Sequence, residues 1–291
     1  MMKQPQNSSN LDRRRFFKAG LLGSATLAIA APGRTLLAAV TKPHRDAYDG
    51  LKLGVASYTF RKFTLDQAIA MSKQAGAGYI SLKDFHLPYK STQAQRQEAR
   101  SQIEAAGLVL MSGGVIYMKN SEPEIRGFFD YAKDAGMPTI VASPDIDALD
   151  IVEKVAKEYN IRVAIHNHGP GDKKYPSPSD VLRLVKDRDE HMGLCMDVGH
   201  TVRLGEDPVD AIHQCAARLY DFHIKDETEA VAKGKPTEVG RGVIDIVGVL
   251  KALVARRYAF HVGLEYEANE NDPMPGVIES FGYMRGVLAA I

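Results

Sequence analysis

The chain has 291 residues and carries 37 Lys and Arg against 36 Asp and Glu, a formal charge of +1. So even a balance supplies no broad field for a nucleic-acid backbone or an anionic membrane surface. With 45% hydrophobic and 25% charged residues, the composition is that of a globular protein with enough apolar mass for one large domain or two small ones.

The first stretch reads as an address rather than as part of a fold. Arg13-Arg14-Arg15-Phe16-Phe17-Lys18 precedes an apolar run from Ala19 to Ala31. That run falls short of the roughly 20 residues a membrane-spanning helix needs. Small residues at Ala30-Ala31 and Ala38-Ala39 offer cleavage positions. Arg-Arg-x-Phe-Phe-Lys resembles the twin-arginine export signal of bacteria. It predicts a signal peptide over 1–39, a lead-in over 40–50, and a periplasmic mature protein with no stable membrane insertion.

From residue 51 to 291 the sequence alternates as one domain. Apolar runs recur as LKLGVASY, AGYISLK, LVLMSGG, PTIVAS, IRVAIH, GLCMDVG, YDFHIK and HVGLEYE. Each reads as a strand buried on both faces. Helical spacing separates them. One helix starts at Leu65, opened by Thr64 with Gln67 three residues on, the pattern of a capping box. Others run over Ile125–Ala132, Asp147–Tyr159, 177–186, 208–217, 244–255 and 277–288. Eight strand–helix units in about 250 residues predict a (β/α)8 TIM barrel. A doubly wound sheet would place a Gly-rich phosphate loop after the first strand, and VASYTFRKF is not one. Cys195 in the sixth strand and Cys215 in the next helix read as two buried thiols.

In such a barrel, chemistry sits at the C-terminal ends of the strands. Reactive side chains gather there. The second strand ends in Lys83-Asp84-Phe85-His86, the fifth in His166-Asn167-His168 and the sixth in Asp197-Val198-Gly199-His200. The seventh gives His223-Ile224-Lys225-Asp226 and the eighth Glu265-Tyr266-Glu267. His261 opens the eighth strand, which sends it to the bottom of the barrel in a structural role. A carboxylate ending a buried strand is costly unless paired. Asp197, His223 and Glu265 on three successive strands therefore predict one divalent cation held by nitrogen and oxygen ligands.

MDVGH, HIKD and LEYE, with SLKDFH and IHNHG before them, resemble the xylose-isomerase-like superfamily of TIM barrels, in its sugar phosphate isomerase/epimerase branch. The resemblance covers the chain from about Lys52 onward. It implies one divalent metal (Mn, Co, Mg or Zn). The family's metal-binding Asp, His and Glu fall on Asp197, His223 and Glu265, and its substrate-contacting His on His200. The Glu that relatives place shortly after HNH falls on Gly171. His168 is the expected fourth ligand, because imidazole suits the same metals. Asp172, or three protein ligands and extra water, are the alternatives. Alternation puts His166 and His168 on one face, so His166 is expected to bind substrate or to orient His168.

The implied substrate is a sugar or keto-sugar. A cation at this mouth can chelate a carbonyl and the adjacent hydroxyl and stabilise the enediolate formed by deprotonation of the neighbouring carbon. Glu265 is the expected base. Lys83, His200 and Lys225 are expected as acids or hydroxyl clamps, with His86 and Arg241 binding substrate. The outcome is isomerisation or epimerisation, with elimination of the aglycone from a 3-keto-glycoside as the alternative, since one base and one acid suffice for it. A metal-dependent endonuclease of the same superfamily would need a basic face that the charge balance does not supply. A two-domain sugar-binding module would need a hinge, and no linker interrupts the alternation. A homo-oligomer is allowed.

Overall fold

The computed structural model of the protein describes residues 50–291; the expected export signal over 1–39 and the lead-in up to residue 49 lie outside the described residues. Eight parallel strands close into a barrel: β1 (Lys52–Ala56), β2 (Tyr79–Leu82), β3 (Val109–Met118), β4 (Thr139–Pro144), β5 (Arg162–His166), β6 (Met192–Asp197), β7 (Leu219–Ile224) and β10 (His261–Leu264). The last pairs with β1 through Lys52 against His261, which completes the ring. Between β7 and β10, β8 (Asp226–Glu227) and β9 (Pro236–Thr237) form a small antiparallel ladder. The eight expected strands are thus all present, and the fold is a single-domain TIM barrel.

Nine helices are seen among the described residues: α1 (Leu65–Ala75), α2 (Gln93–Ala105), α3 (Glu122–Ala135), α4 (Leu149–Tyr159), α5 (Pro178–Val185), α6 (Val198–Val202), α7 (Pro208–Cys215), α8 (Ile246–Ala255) and α9 (Met274–Leu288). α1 begins with the expected capping box between Thr64 and Gln67. α2 carries no apolar stripe that periodicity could detect, because only Ala99 and Ile103 are buried. Its start is marked instead by a second capping box, Thr92 with Gln95. α6 is too short to show a period. None of these helices is long and apolar enough to cross a membrane.

Two features of the barrel bear on its mouth. In β3 the register against β4 shifts between Gly113 and Ile116. A Cβ on Gly114 would lie 2.0 Å from the Val141 carbonyl oxygen, so only glycine passes there. The displaced strand end carries Val115 and Tyr117 to the rim. At the floor, Asp221 accepts a hydrogen bond of 2.6 Å from the Ser112 hydroxyl, and His261 Nδ1 lies 3.6 Å from it. His261 is therefore buried far from the chemistry. Cys195 and Cys215 are both buried free thiols.

Candidate functional site

β6 delivers Asp197, and the chain turns at once into α6. Asp197 caps that helix: its Oδ1 accepts the His200 backbone N–H at 2.8 Å. Only Oδ2 is left to face the mouth. Asn167 ties β5 to the same corner, accepting from the Asp197 N–H at 2.9 Å and donating to Thr201 at 3.3 Å. Asp197 is opposite His223 in the β6–β7 register, and Cys195, two residues lower, is opposite His166. The pleat therefore points His166, Asp197 and His223 into one space, and Glu265 joins them from the end of β10.

His166 Nε2 lies 3.1 Å from His223 Nδ1 and 3.6 Å from Asp197 Oδ2. His223 Nδ1 is 3.3 Å from Glu265 Oε2. One ligand atom from each of these four residues lies within 4.8 Å of the other three. Two imidazoles and two carboxylates form a donor set suited to a first-row divalent cation. Asp197 Oδ2 is buried and its one fixed cationic neighbour is the Lys225 ammonium, 2.9 Å away. Three carboxylates share that single ammonium, so the donor set and its surplus negative charge fit a metal ion.

His168, the expected fourth ligand, is not in this cluster. β5 ends at His166, and beyond it the extended alternation that would have kept the two rings in line gives way to a loop. The His168 ring stacks on Tyr117 with 6.0 Å between centroids, and its Nδ1 lies 3.8 Å from Asp172. Asp172 lies outside the cluster too: its Oδ1 accepts the backbone N–H groups of Lys174 and Tyr175 at 2.8 and 2.7 Å. Gly171 sits in that turn with φ near +95° and open space around it. The place expected for a carboxylate is thus a turn glycine, and the inward position is taken by His166.

Lys225 reaches over the cluster. Its Nζ lies 2.9 Å from Asp197 Oδ2, 2.7 Å from Glu265 Oε2 and 2.6 Å from Glu267 Oε1. Burial opposes its charge, but the three carboxylates hold its pKa well above the usual lysine value. Burial likewise works against Asp197 and Glu265 ionising. His200 and Lys225 beside Asp197, and Lys225 and His223 beside Glu265, nevertheless hold both well below the carboxylate range. Burial pushes His166 down to about 3, so it is neutral. Lys83 donates to the Val115 carbonyl at 3.0 Å, and burial lowers its pKa.

A cavity of about 220 Å³ opens onto this group. Lys83, His166, His168, His200 and Glu265 line it, and so do Tyr58, Tyr117 and Glu267, which the sequence reading left out. The step of two from Glu265 to Glu267 in LEYE was the available signal for the last. Two expected substrate binders stand elsewhere. His86 turns its Nε2 to the Phe63 carbonyl at 3.1 Å and packs against Phe85, lining a groove beside α2. Arg241 is exposed and forks onto Glu279 of α9 at 2.5 and 2.7 Å.

A closed (β/α)8 barrel with reactive groups gathered at the C-terminal ends of its strands defines the class: a TIM-barrel protein with its candidate site at that end. Residues 69–287 match the family described as xylose isomerase-like TIM barrel, and the chain belongs to that family. It spans about half the length of the curated relatives it matches. One of them, inosose dehydratase of Geobacillus kaustophilus (strain HTA426), is 24% identical over 156 residues, covering 48% of each chain. Among solved structures, a 3-keto-D-glucoside 4-epimerase from E. coli superposes with a TM-score of 0.66 at 18% identity, over 81% of this chain and 99% of that one. The IOLI protein, solved with a bound zinc atom, gives 0.70 at 16% identity over 82% and 99%. These structural likenesses carry the fold.

Proposed function

We propose that the protein is a divalent-metal-dependent carbohydrate enzyme that removes the proton next to the carbonyl of a keto-sugar, and that it works in the periplasm after twin-arginine export. The observation that carries the chemistry is the convergence of His166, Asp197, His223 and Glu265 at the barrel mouth. The relatives named as an epimerase and a dehydratase support it, because both reactions begin by breaking a C–H bond beside a carbonyl. Export rests on the twin-arginine pattern alone.

His166, Asp197, His223 and Glu265 would hold the metal, with His166 taking the place first expected of His168. Two imidazoles favour zinc or cobalt over magnesium, and the two carboxylates also admit manganese. When bound, the ion supplies Lewis-acid stabilisation of the negative charge that develops on the carbonyl oxygen. Glu265, at the cavity wall, accepts the proton. Lys225 bridges Glu265 and Glu267 and keeps the carboxylates charged and in place. Lys83 projects into the same cavity with a pKa lowered by burial, which suits it to give up a proton.

Elimination is the second reading, favoured by β5 ending in imidazoles where a two-base epimerase needs a second carboxylate. The C–H pair then forms the new C=C bond, the bond to the β-oxygen breaks, and Lys83 protonates the departing oxygen. The test is incubation of zinc-, cobalt- or manganese-loaded protein with 3-keto-glucosides in heavy water, followed by NMR. Deuterium beside the carbonyl supports proton abstraction, and aglycone release against a C2 epimer separates the outcomes. Protein that binds none of the three metals and exchanges no proton rules the proposal out.

A further inference from the structure

His200 is held from behind. Its ring lines the cavity, with Nε2 4.0 Å from Asp197 Oδ2, while its Nδ1 takes a hydrogen bond from Arg203 Nη2. Arg203 in turn points Nε at Glu227 Oε1 across 3.8 Å, and the Glu227 side chain is 1% exposed. The backbone of Glu227 cannot drift. Its N–H donates to Asp226 and its carbonyl accepts from Val243, both at 2.9 Å. Gly169 and Gly199 leave room for the chain of side chains. A Cβ on Gly169 would stand 3.1 Å from His200 Nδ1, and one on Gly199 would stand 2.8 Å from Glu227 Oε1.

A guanidinium has only donors and stays protonated at any physiological pH. A ring nitrogen that meets it must therefore be the unprotonated one. We propose that Arg203, which faces Glu227 on its other side, locks His200 as the neutral Nε2–H tautomer, so that His200 meets the substrate only as a hydrogen-bond donor.

The consequence for the reaction rests on the proposed function. A donor-only imidazole cannot take the proton beside the carbonyl, and it cannot release its own without becoming an anion. His200 is then a clamp on a substrate oxygen, and proton transfer falls to Glu265 and Lys83. Arg203 and Glu227 are positioning residues, acting through His200 without touching the cavity.

The test needs no substrate. Protein labelled with ¹⁵N-histidine and loaded with diamagnetic zinc is studied by long-range ¹H–¹⁵N correlation, with His200 assigned by loss of its signals in His200→Gln. Nε2 is expected to be protonated, and Nδ1 to be unprotonated and shielded by its donor. In Arg203→Met, Nδ1 should move downfield toward the free-imine position or gain a proton. Arg203→Lys restores a donor and should return it toward the wild-type position. A protonated Nδ1 in the wild type, or an Nδ1 resonance that does not move in Arg203→Met, overturns the proposal. Inactivity on keto-sugars leaves these signals intact, so failure of the proposed function is read separately.

Discussion

Lys225 Nζ lies 2.9 Å from Asp197 Oδ2, with the two side chains 3% and 0% exposed. A buried ammonium therefore touches one of the atoms that a metal ion would use. It also touches Glu265 Oε2, another. Lys225 and the metal are rivals for the same two carboxylates, and the rivalry has a sign. Lys225→Met removes a positive charge a few ångströms from the metal position, so affinity for zinc should rise at least tenfold, or about 1.4 kcal/mol. Chelator competition measures it. The metal-free variant should lose about 3–5 kcal/mol of stability, because buried carboxylates are left without their partner. Unchanged or weaker zinc binding would show that Lys225 orients the ligands rather than competing for them.

His223 gives a pH dependence. Burial opposes its charge, but Cys195 and the Glu265 carboxylate hold its pKa well above the usual 6.5. His166, pushed down to about 3 by burial, is neutral. The 3.1 Å contact between them then runs from His223 Nδ1–H to His166 Nε2. A metal must displace that proton. Calorimetry near pH 7 in buffers of different ionisation enthalpy should report one proton released per zinc bound. Affinity should rise about tenfold per pH unit until the His223 pKa of the metal-free protein is passed. For folding the sign is opposite. A raised histidine pKa adds stability that is fully present below about 6.5 and is lost as pH rises through the higher folded value. Zero protons released would mean that His223 is already neutral.

The two histidines of HNH should separate cleanly in metal binding. His166 belongs to the four-residue cluster, whereas the His168 ring leans on Tyr117 at the rim. His166→Ala should weaken zinc binding about 100-fold or more, and His168→Ala by less than about threefold. Removing a ligand costs far more than removing a neighbour outside the donor set, where losses reach 10–100-fold only if the neighbour orients a ligand. Zinc content after dialysis against a weak chelator decides it. The reverse order would restore His168 as the ligand.

Much of this was legible in the sequence, and the limits have physical causes. Asp197, His223 and Glu265 could be placed because period-2 strands and short turns fix which end of a barrel each side chain reaches. The choice between His166 and His168 depended on where β5 stops, and alternation says nothing beyond the last paired residue. His86 and Arg241 were misplaced for the same reason: both lie in loops, where a side chain goes to whatever partner is near, Phe63 or Glu279. Tyr117 reaches the rim because β3 slips in register around Gly114, a displacement that leaves no pattern of polar and apolar residues. The Arg203–Glu227 pair joins α6 to the strand after β7, a long-range contact that no local spacing encodes.

Gly199 should report on the packing that holds these groups. It is the second residue of α6, and alanine there would ordinarily gain about 1 kcal/mol in helix propensity. A Cβ would stand 2.6 Å from Lys225 Cδ and 2.8 Å from Glu227 Oε1. Neither side chain has room to retreat: Glu227 is 1% exposed, and Lys225 is 3% exposed and fixed by three carboxylates. Gly199→Ala should therefore destabilise the metal-free protein by about 1–3 kcal/mol, the usual cost of overpacking. Denaturant unfolding measures this. In a Lys225→Ala background the contact with the lysine stem is gone and only that with Glu227 Oε1 remains, so the two substitutions should be non-additive by more than about 0.5 kcal/mol. A stabilised Gly199→Ala protein, or strict additivity, would show that the Lys225 stem does not press on α6.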